Sequence, residues 1–443
     1  MAGPLLLALG TGESVAGAYL FSGCVTVFAG ICAYIVSGER RSTTDFRSAL
    51  LFVLIWWTAI PAFAALPLLL AGFTAFDAYF EAVSALTTTG AWLSNESLEA
   101  SAAGLLWRAE LQWLGGLASL AFAAAIFIRP AFVGIDTLLP PFSRGDRDSF
   151  LRPVRNAVAA FWGPYALITA IAFASMMLAG LGAFDAAITA LSVVASGGIV
   201  PPSAGFEAYP ASAPAVYFPF LLLSGANFVL IARVLRGAER RARDVETGGY
   251  IVIALGVGVL FWATAGAVGV ERLPLHIFNA ASLLSTNGVI IGEAPPLTVA
   301  MVTAIIGGAA VSTAGGFKVL RWLVIMRRAR EELRLLVDPR GVFGPRRESD
   351  ELGVWMHFLV FTMTLAALVL IVTAGGHSLE TATAAATAIL SNTGPLLSLA
   401  ENAGSGYEMF SAPIRALLIV GMILGRLEAV AALALINRAF WRA

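Results

Sequence analysis

The chain has 443 residues, 58% of them hydrophobic and 13% charged, and a mean hydropathy of +0.83. Soluble domains carry about 25% charged residues, and a soluble fold of this size cannot bury so much apolar surface. A soluble enzyme, a secreted disulfide scaffold and a disordered tail are excluded, and 28 basic residues balance 28 acidic ones, so net charge names no partner. Residues 3–9 are apolar but too short to span a bilayer, and read as the end of a truncated first helix. No basic n-region with a short apolar core and an A-x-A site follows, so no cleaved signal is expected. Long apolar segments recur at roughly 14–37, 47–71, 104–128, 153–180, 213–237, 248–271, 296–326, 351–374 and 408–440. Each is long enough to cross a membrane as a helix. Four shorter apolar stretches, 76–86, 184–194, 275–284 and 380–390, are too short to span and fit re-entrant helices.

Charge placement orients the chain. All basic residues are Arg except Lys318, and they cluster in alternate loops around Arg40–Arg47, Arg144–Arg155, Arg236–Arg243 and Arg327–Arg347. The loops between carry Glu96, Glu99, Glu207, Glu293, Glu401 and Glu408. The positive-inside rule puts the Arg loops in the cytoplasm and the acidic loops outside. Cys24 and Cys32 share one apolar helix and read as packing residues. His276, His357 and His377 are far apart in sequence, which argues against a metal cluster.

Each short stretch ends in a small polar run closing on Gly: Thr87-Thr88-Thr89-Gly90, Ala195-Ser196-Gly197-Gly198, Ser285-Thr286-Asn287-Gly288 and Ser391-Asn392-Thr393-Gly394. Aligned on the last Gly, the match extends upstream. Eight positions earlier stand Ala82, Ala190, Ala280 and Ala386; six earlier stand Ser84, Ser192 and Ser282, with Ala388 breaking the pattern. Ordinary turns need no fixed upstream Ala and Ser. The unit is therefore span, short helix, polar loop, span, repeated four times around a pseudo-fourfold ring. Gly permits backbone angles that aim carbonyls inward, and a carbonyl ring can replace the hydration shell of a monovalent cation. Helix C-termini pointing at the ring and acidic outer loops favour a cation too. None of these features separates potassium from sodium.

Gly307, Gly308, Ala309, Ala310, Ser312, Thr313, Ala314, Gly315 and Gly316 make a poor helix interior. Such a run unwinds where it lines a cavity, or packs tightly against a neighbouring helix. Lys318 either snorkels to the inner interface or anchors this run. Arg426 lies inside the last span, where a charge faces a cavity or pairs with Glu428 or Glu110. Asp77, Glu81 and Asp185 read as helix N-terminal charges, and Asn227 and Asn279 as helix-to-helix hydrogen bonds.

Four stretches resemble the Trk/Ktr/HKT superfamily of potassium transporters, most of all its TrkH-type membrane subunits. They are Thr87–Gly90, Trp107-Arg108 with Gln112-Trp113-Leu114-Gly115-Gly116, the run Gly307–Lys318, and Gly425-Arg426-Leu427-Glu428. The resemblance covers residues 14–440. It implies that Gly90, Gly198, Gly288 and Gly394 are filter glycines, with potassium at Thr88, Ser196, Thr286 and Asn392. It implies that 307–318 is an intramembrane gate and that Arg426 is an electrostatic barrier. It also implies a bacterial inner-membrane location, a homodimer, and a cytoplasmic TrkA-like nucleotide-binding partner, with lipid around the chain. No cofactor and no nucleic acid are expected. The second run Ala195–Ile199, Trp92 after the first loop, and Asn287-Gly288-Val289 depart from the family pattern and bear on selectivity. The N-terminal pair of extra helices reads as incomplete.

The expected fold is an all-α polytopic membrane protein with four span–pore helix–filter loop–span repeats around a central pore, plus an N-terminal extra helix. The boundaries are 1–46 for the extra helix, then 47–150, 151–247, 248–350 and 351–443 for the repeats. The expected function is a channel-like potassium-uptake subunit. A sodium-permeable transporter of the same fold, a poorly conducting partner subunit and a coupled solute carrier are the alternatives. Nucleophile elbow, H-E-x-x-H and P-loop patterns do not occur, so an enzyme is not expected.

Overall fold

The computed structural model describes residues 1–37, 46–94, 101–127, 151–201, 205–236, 245–266, 269–338, 348–401, 404 and 406–427. The described residues form helices and connecting loops, with no strand among them. The N-terminal region holds α1 (Ala2–Thr11) and α2 (Ala16–Ser37). Four hairpin-like units follow. The first comprises α3 (Phe46–Ala64), a short α4 (Leu66–Leu70), α5 (Ala75–Leu86) and α6 (Ala102–Phe122). The second comprises α7 (Leu151–Leu178), α8 (Ala183–Val194), α9 (Ala213–Gly225) and α10 (Phe228–Leu235). The third comprises α11 (Val245–Thr264), α12 (Leu273–Leu284), α13 (Leu297–Ile306) and α14 (Val319–Val337). The fourth comprises α15 (Glu348–Ala374), α16 (Leu379–Leu390) and α17 (Ala412–Leu427).

Each of α5, α8, α12 and α16 has 12 residues. At about 1.5 Å per residue this is roughly 18 Å, too short for a hydrocarbon core of about 30 Å. Their starts are built locally. Thr74 Oγ1 accepts the Asp77 N–H at 3.1 Å, and Ser378 Oγ accepts the Thr381 N–H at 3.1 Å.

Packing closes the four units into a ring. Each short helix lies against the long helix before it and the returning helix after it. Each returning helix also packs on the next unit's short helix: α6 on α8, α9 on α12, α13 on α16, and α17 back on α5. The spatial order is therefore first, second, third, fourth, first.

By length and composition, five helices among the described residues can cross a membrane: Ala16–Val36, Ser48–Leu70, Val154–Leu178, Val245–Thr264 and Glu351–Ala374. The bent pair α9–α10 makes a sixth if counted as one span. The chain is a multi-pass membrane protein. Large apolar side chains such as Phe28, Ile31, Leu359 and Leu370 stand exposed on its outer helices, where lipid replaces water.

Several local expectations change. The segments 213–237 and 296–326 are not continuous spans: the first bends by 108° between α9 and α10, and the second opens into a loop over 307–318. Cys24 is exposed rather than packed, because α2 lies at the edge of the fold against α1 and α4. Asn227 makes the expected helix-to-helix bond, donating to Glu246 of α11 at 3.4 Å, and in addition caps α10 by accepting the Val229 N–H at 3.1 Å.

Candidate functional site

The four polar loops share one backbone path. Thr88, Ser196, Thr286 and Asn392 have φ of 53°, 60°, 58° and 54°. Left-handed geometry is unfavourable for residues with a Cβ, and such outliers cluster at functional sites. In every loop this residue's N–H returns to the short helix: Thr88 to Ala85 O, Ser196 to Val193 O, Thr286 to Leu283 O and Asn392 to Ile389 O. The next N–H does so as well, from Thr89, Gly197, Asn287 and Thr393. Eight donors are thereby turned away from the space between the loops.

The loops meet in ring order. A Cβ on Gly90 would stand 2.5 Å from Gly197 O; one on Gly198 would strike Asn287 O; one on Gly288 would stand 3.1 Å from Thr393 Cγ2; one on Gly394 would strike Gly90. Gly90, Gly198 and Gly288 have φ of 69°, 74° and 80°. The fourth loop departs from this path. Gly394 begins a tight turn over Gly394–Leu399 and donates its N–H to Thr89 O at 2.5 Å. The Pro395 ring then lies 3.1–3.6 Å from the Cβ positions of Gly90, Gly198 and Gly288. The fourth loop thus leans across the other three.

Side chains behind the ring hold it in place. Gln112 donates to Gly197 O at 2.7 Å and accepts from Ser192 Oγ at 3.0 Å. The glycines after it let α6 approach closely. A Cβ on Gly115 would strike Leu86 O, and one on Gly116 would stand 2.6 Å from the Tyr165 hydroxyl and 3.1 Å from Ala195. The Gln112–Gly116 motif thus joins the first unit's returning helix to the second loop. Sequence reasoning had Gln112 as part of a resemblance but gave it no role.

Glu81 is not a helix-end charge. It is fully buried, accepts the Leu93 N–H at 2.9 Å, and pairs with buried Arg108 at 2.8 Å. Asn279 likewise bonds within its own unit rather than between helices, accepting the Ile291 N–H at 2.9 Å. Asp77 stays near the start of α5 and pairs with Arg415 at 2.6 Å.

The segment Gly307–Lys318 lies against the second, third and fourth loops. Thr313 Oγ1 is 2.9 Å from Ser196 Oγ. The Gly315 N–H donates to Thr286 Oγ1 at 2.7 Å, and a Cβ on Gly315 would strike Ser391 O. Arg426 completes the set: it donates to Thr87 O at 2.6 Å, to Thr313 O at 2.8 Å and to Thr88 Oγ1. Its guanidinium sits at the C-terminal end of α5, where the helix leaves carbonyls to be satisfied. Glu110 is not its partner and stands 3.7 Å from the Met1 amino group; Glu428 lies outside the described residues.

The segment is also tied to the bend in the second unit. The Ala309 N–H donates to Gly225 O at 2.8 Å, the Phe228 N–H to Val311 O at 2.7 Å, and the Ala310 N–H to buried Glu246 at 2.5 Å. Gly307, Gly316 and Lys318 have φ of 73°, 76° and 81°, and Gly308 O accepts from Val319. The Lys318 ammonium turns back to Ala314 O and lies 3.5 Å from Ser312 Oγ, so it anchors the segment. A cavity beside it is lined by Ser312, Lys318, Arg321, His357 and Arg426, among others. No cluster of metal-ligating side chains occurs among the described residues.

Residues 22–246 match the family model TrkH, a cation transport protein. The Trk system potassium uptake protein TrkI of Halomonas elongata is 30% identical over 100% of this chain and 94% of its own length. The Trk system potassium uptake protein TrkH of Escherichia coli K12 is 28% identical over 91% and 87%. The crystal structure of the potassium transporter TrkH from Vibrio parahaemolyticus superposes with a TM-score of 0.85 at 27% identity, covering 100% of this chain and 96% of that one.

Proposed function

The chain belongs to the TrkH family of cation transport proteins, and on that premise we propose that it is the membrane subunit of a potassium-uptake transporter. The family is a transport family, not an enzymatic one, and its members carry no cofactor; potassium is substrate. Ions pass through the ring made by Thr87–Gly90, Ala195–Gly198, Ser285–Gly288 and Ser391–Gly394. The repeated left-handed residue two positions before each Gly is the observation that carries this reading. It supports four loops built alike around one axis, the arrangement a carbonyl filter requires. The four units correspond to residues 47–150, 151–247, 248–350 and 351–443.

Flux is stopped on the inner side by Gly307–Lys318 and Arg426. Their bonds to the loops support this, because the segment cannot leave the path without releasing them. The filter faces outside and the Arg-rich loops face the cytoplasm of a bacterial inner-membrane protein, which the charge asymmetry supports. The subunit forms a homodimer and takes a cytoplasmic nucleotide-binding partner; the relatives named above are each named as a protein of a Trk system, which supports a partner.

The path of the fourth loop favours a second reading, a pore of the same fold that admits sodium. Gly394 lacks the positive φ of the other three glycines, so the ring is not fourfold at that level. Tracer rubidium uptake into proteoliposomes, with potassium or sodium as competitor, separates the readings. Block by potassium alone supports the potassium filter. Equal block by both ions supports the sodium-admitting pore. Gly90→Ser, run in parallel, is expected to relax selectivity, because any Cβ at Gly90 must push against Gly197 O at 2.5 Å.

A further inference from the structure

We propose that Glu81 with Arg108, and Asn279 on the opposite side of the ring, are positioning residues that set ion selectivity by clamping the outer legs of the first and third loops. This rests on the reading of the four loops as an ion filter. Nine positions before each loop Gly stand Glu81, Thr189, Asn279 and Ala385, and three positions after it stand Leu93, Pro201, Ile291 and Leu397. Glu81 accepts the Leu93 N–H at 2.9 Å, and Asn279 accepts the Ile291 N–H at 2.9 Å. Each clamp joins the short helix before a loop to the segment leaving it, so the loop is closed from behind.

The other two units show what the side chain is for. Pro201 has no N–H to hold, and the buried Thr189 hydroxyl has no hydrogen-bond partner among the described residues. Leu397 lies inside the tight turn Gly394–Leu399, and its counterpart is Ala385. The second unit thus has an acceptor but no N–H to receive, and the fourth has an N–H but no side-chain acceptor.

The two clamps differ in chemistry. Asn279 is neutral and also donates to Ile291 O at 3.0 Å. Glu81 is held by Arg108, whose guanidinium lies 5.6 Å from the Phe73 ring and 6.0 Å from the Trp92 ring. Trp92, a departure from the family pattern, therefore packs against this pair. Hydrogen bonds to a charged acceptor are stronger than neutral ones, so the first loop is the more firmly held. The pair is neutral as a unit, so it acts on the ion through loop position and not through net charge. Because the ring order sets the first and third loops opposite each other, the clamps resist contraction across one diameter. Contraction is what a smaller ion demands of a carbonyl ring.

The test is rubidium uptake with potassium or sodium as competitor, in the parent chain and four variants. Glu81→Gln/Arg108→Gln removes both charges but keeps an acceptor for Leu93. Glu81→Leu/Arg108→Leu removes the acceptor and leaves no orphan charge. Asn279→Leu tests the other clamp without any charge change, and decides the matter if the double Leu variant fails to fold. Thr189→Val is the control. The Leu variants are expected to keep rubidium uptake and lose about tenfold in preference for potassium over sodium, while the Gln pair and Thr189→Val keep parental preference. Leu variants with unchanged preference would overturn the clamp, as would a Gln pair that loses as much as the Leu pair. A parent that takes up rubidium without preferring potassium overturns the selective-filter reading itself, and is thereby distinguished from failure of the clamp alone.

Discussion

The Ser84 hydroxyl accepts the Ala91 N–H at 2.7 Å, and Ser192 accepts the Ile199 N–H at 2.7 Å. These serines stand six residues before their loop glycines and hold the N–H just after them. In the fourth unit the residue after Gly394 is Pro395, which has no N–H, and the serine is replaced by Ala388. The missing serine and the missing N–H in the fourth unit are therefore matched, whereas in the third unit the buried Ser282 hydroxyl finds no hydrogen-bond partner among the described residues. Ser84→Ala is expected to strand a buried donor and destabilise the protein by about 1–3 kcal/mol, seen as a lower melting temperature in detergent. Ala388→Ser gains no such bond and is not expected to stabilise. The spacing was readable from sequence because Ser, Ala and Gly recur at fixed offsets. The role of Gln112 was not, since its partners Ser192 and Gly197 lie 80 and 85 residues away. Glu81 was misjudged for a related reason. Its position on a short helix suggested a helix-end charge, whereas its partner Arg108 comes from the next helix, 27 residues on.

At the level of elements, the broken segment between α13 and α14 is held by bonds to three directions: the loops, the α9–α10 bend and Arg426. Arg426→Ala is expected to raise cation flux at equal expression, because it frees Thr87 O and Thr313 O together. Arg426→Lys is expected to fall between parent and Ala, since one ammonium cannot reproduce the planar fork. Patch-clamp or tracer flux decides both, and unchanged or reduced flux in Arg426→Ala would sink the barrier role. Gly315→Ala is expected to abolish uptake while the protein still folds, because its Cβ meets backbone at Ser391. The run of small residues marked this break in the sequence. The bend at Asn227 was hidden, because the apolar pattern continues through it; the usable signal was Ser224-Gly225 followed by a capping Asn.

For the whole molecule, ring closure comes from the returning helices, each packing on the next short helix and the last on the first. That the chain is all-helical and crosses a membrane several times was legible from its long apolar segments. The number of unbroken spans was not, since two of the nine segments bend or open and five helices among the described residues are long and apolar enough to cross. Which helix touches which was not, because apolar residues on the spans face lipid and protein alike and carry no inside–outside contrast. Orientation remains testable from charge. In a background lacking Cys24 and Cys32, Arg330→Cys is expected to react with an impermeant maleimide only from the cytoplasmic side, and Ser398→Cys only from outside. The reverse labelling pattern would invert the assignment.

The inner segment touches the second loop through Thr313, the third and fourth through Gly315, and the first through Arg426. On the proposed reading of the loops as an ion site, the segment and Arg426, which together touch all four loops, share their free energy with whatever occupies it. Coupling of this kind is reciprocal: if withdrawing the segment changes the affinity of the ring for an ion, the ion changes the ease of withdrawal by the same factor. Under the proposed filter and gate, the transported cation would then be an effector of its own passage. Raising external potassium should alter hydrogen–deuterium exchange of the 307–318 amides, and sodium should do so less, with no regulatory partner present.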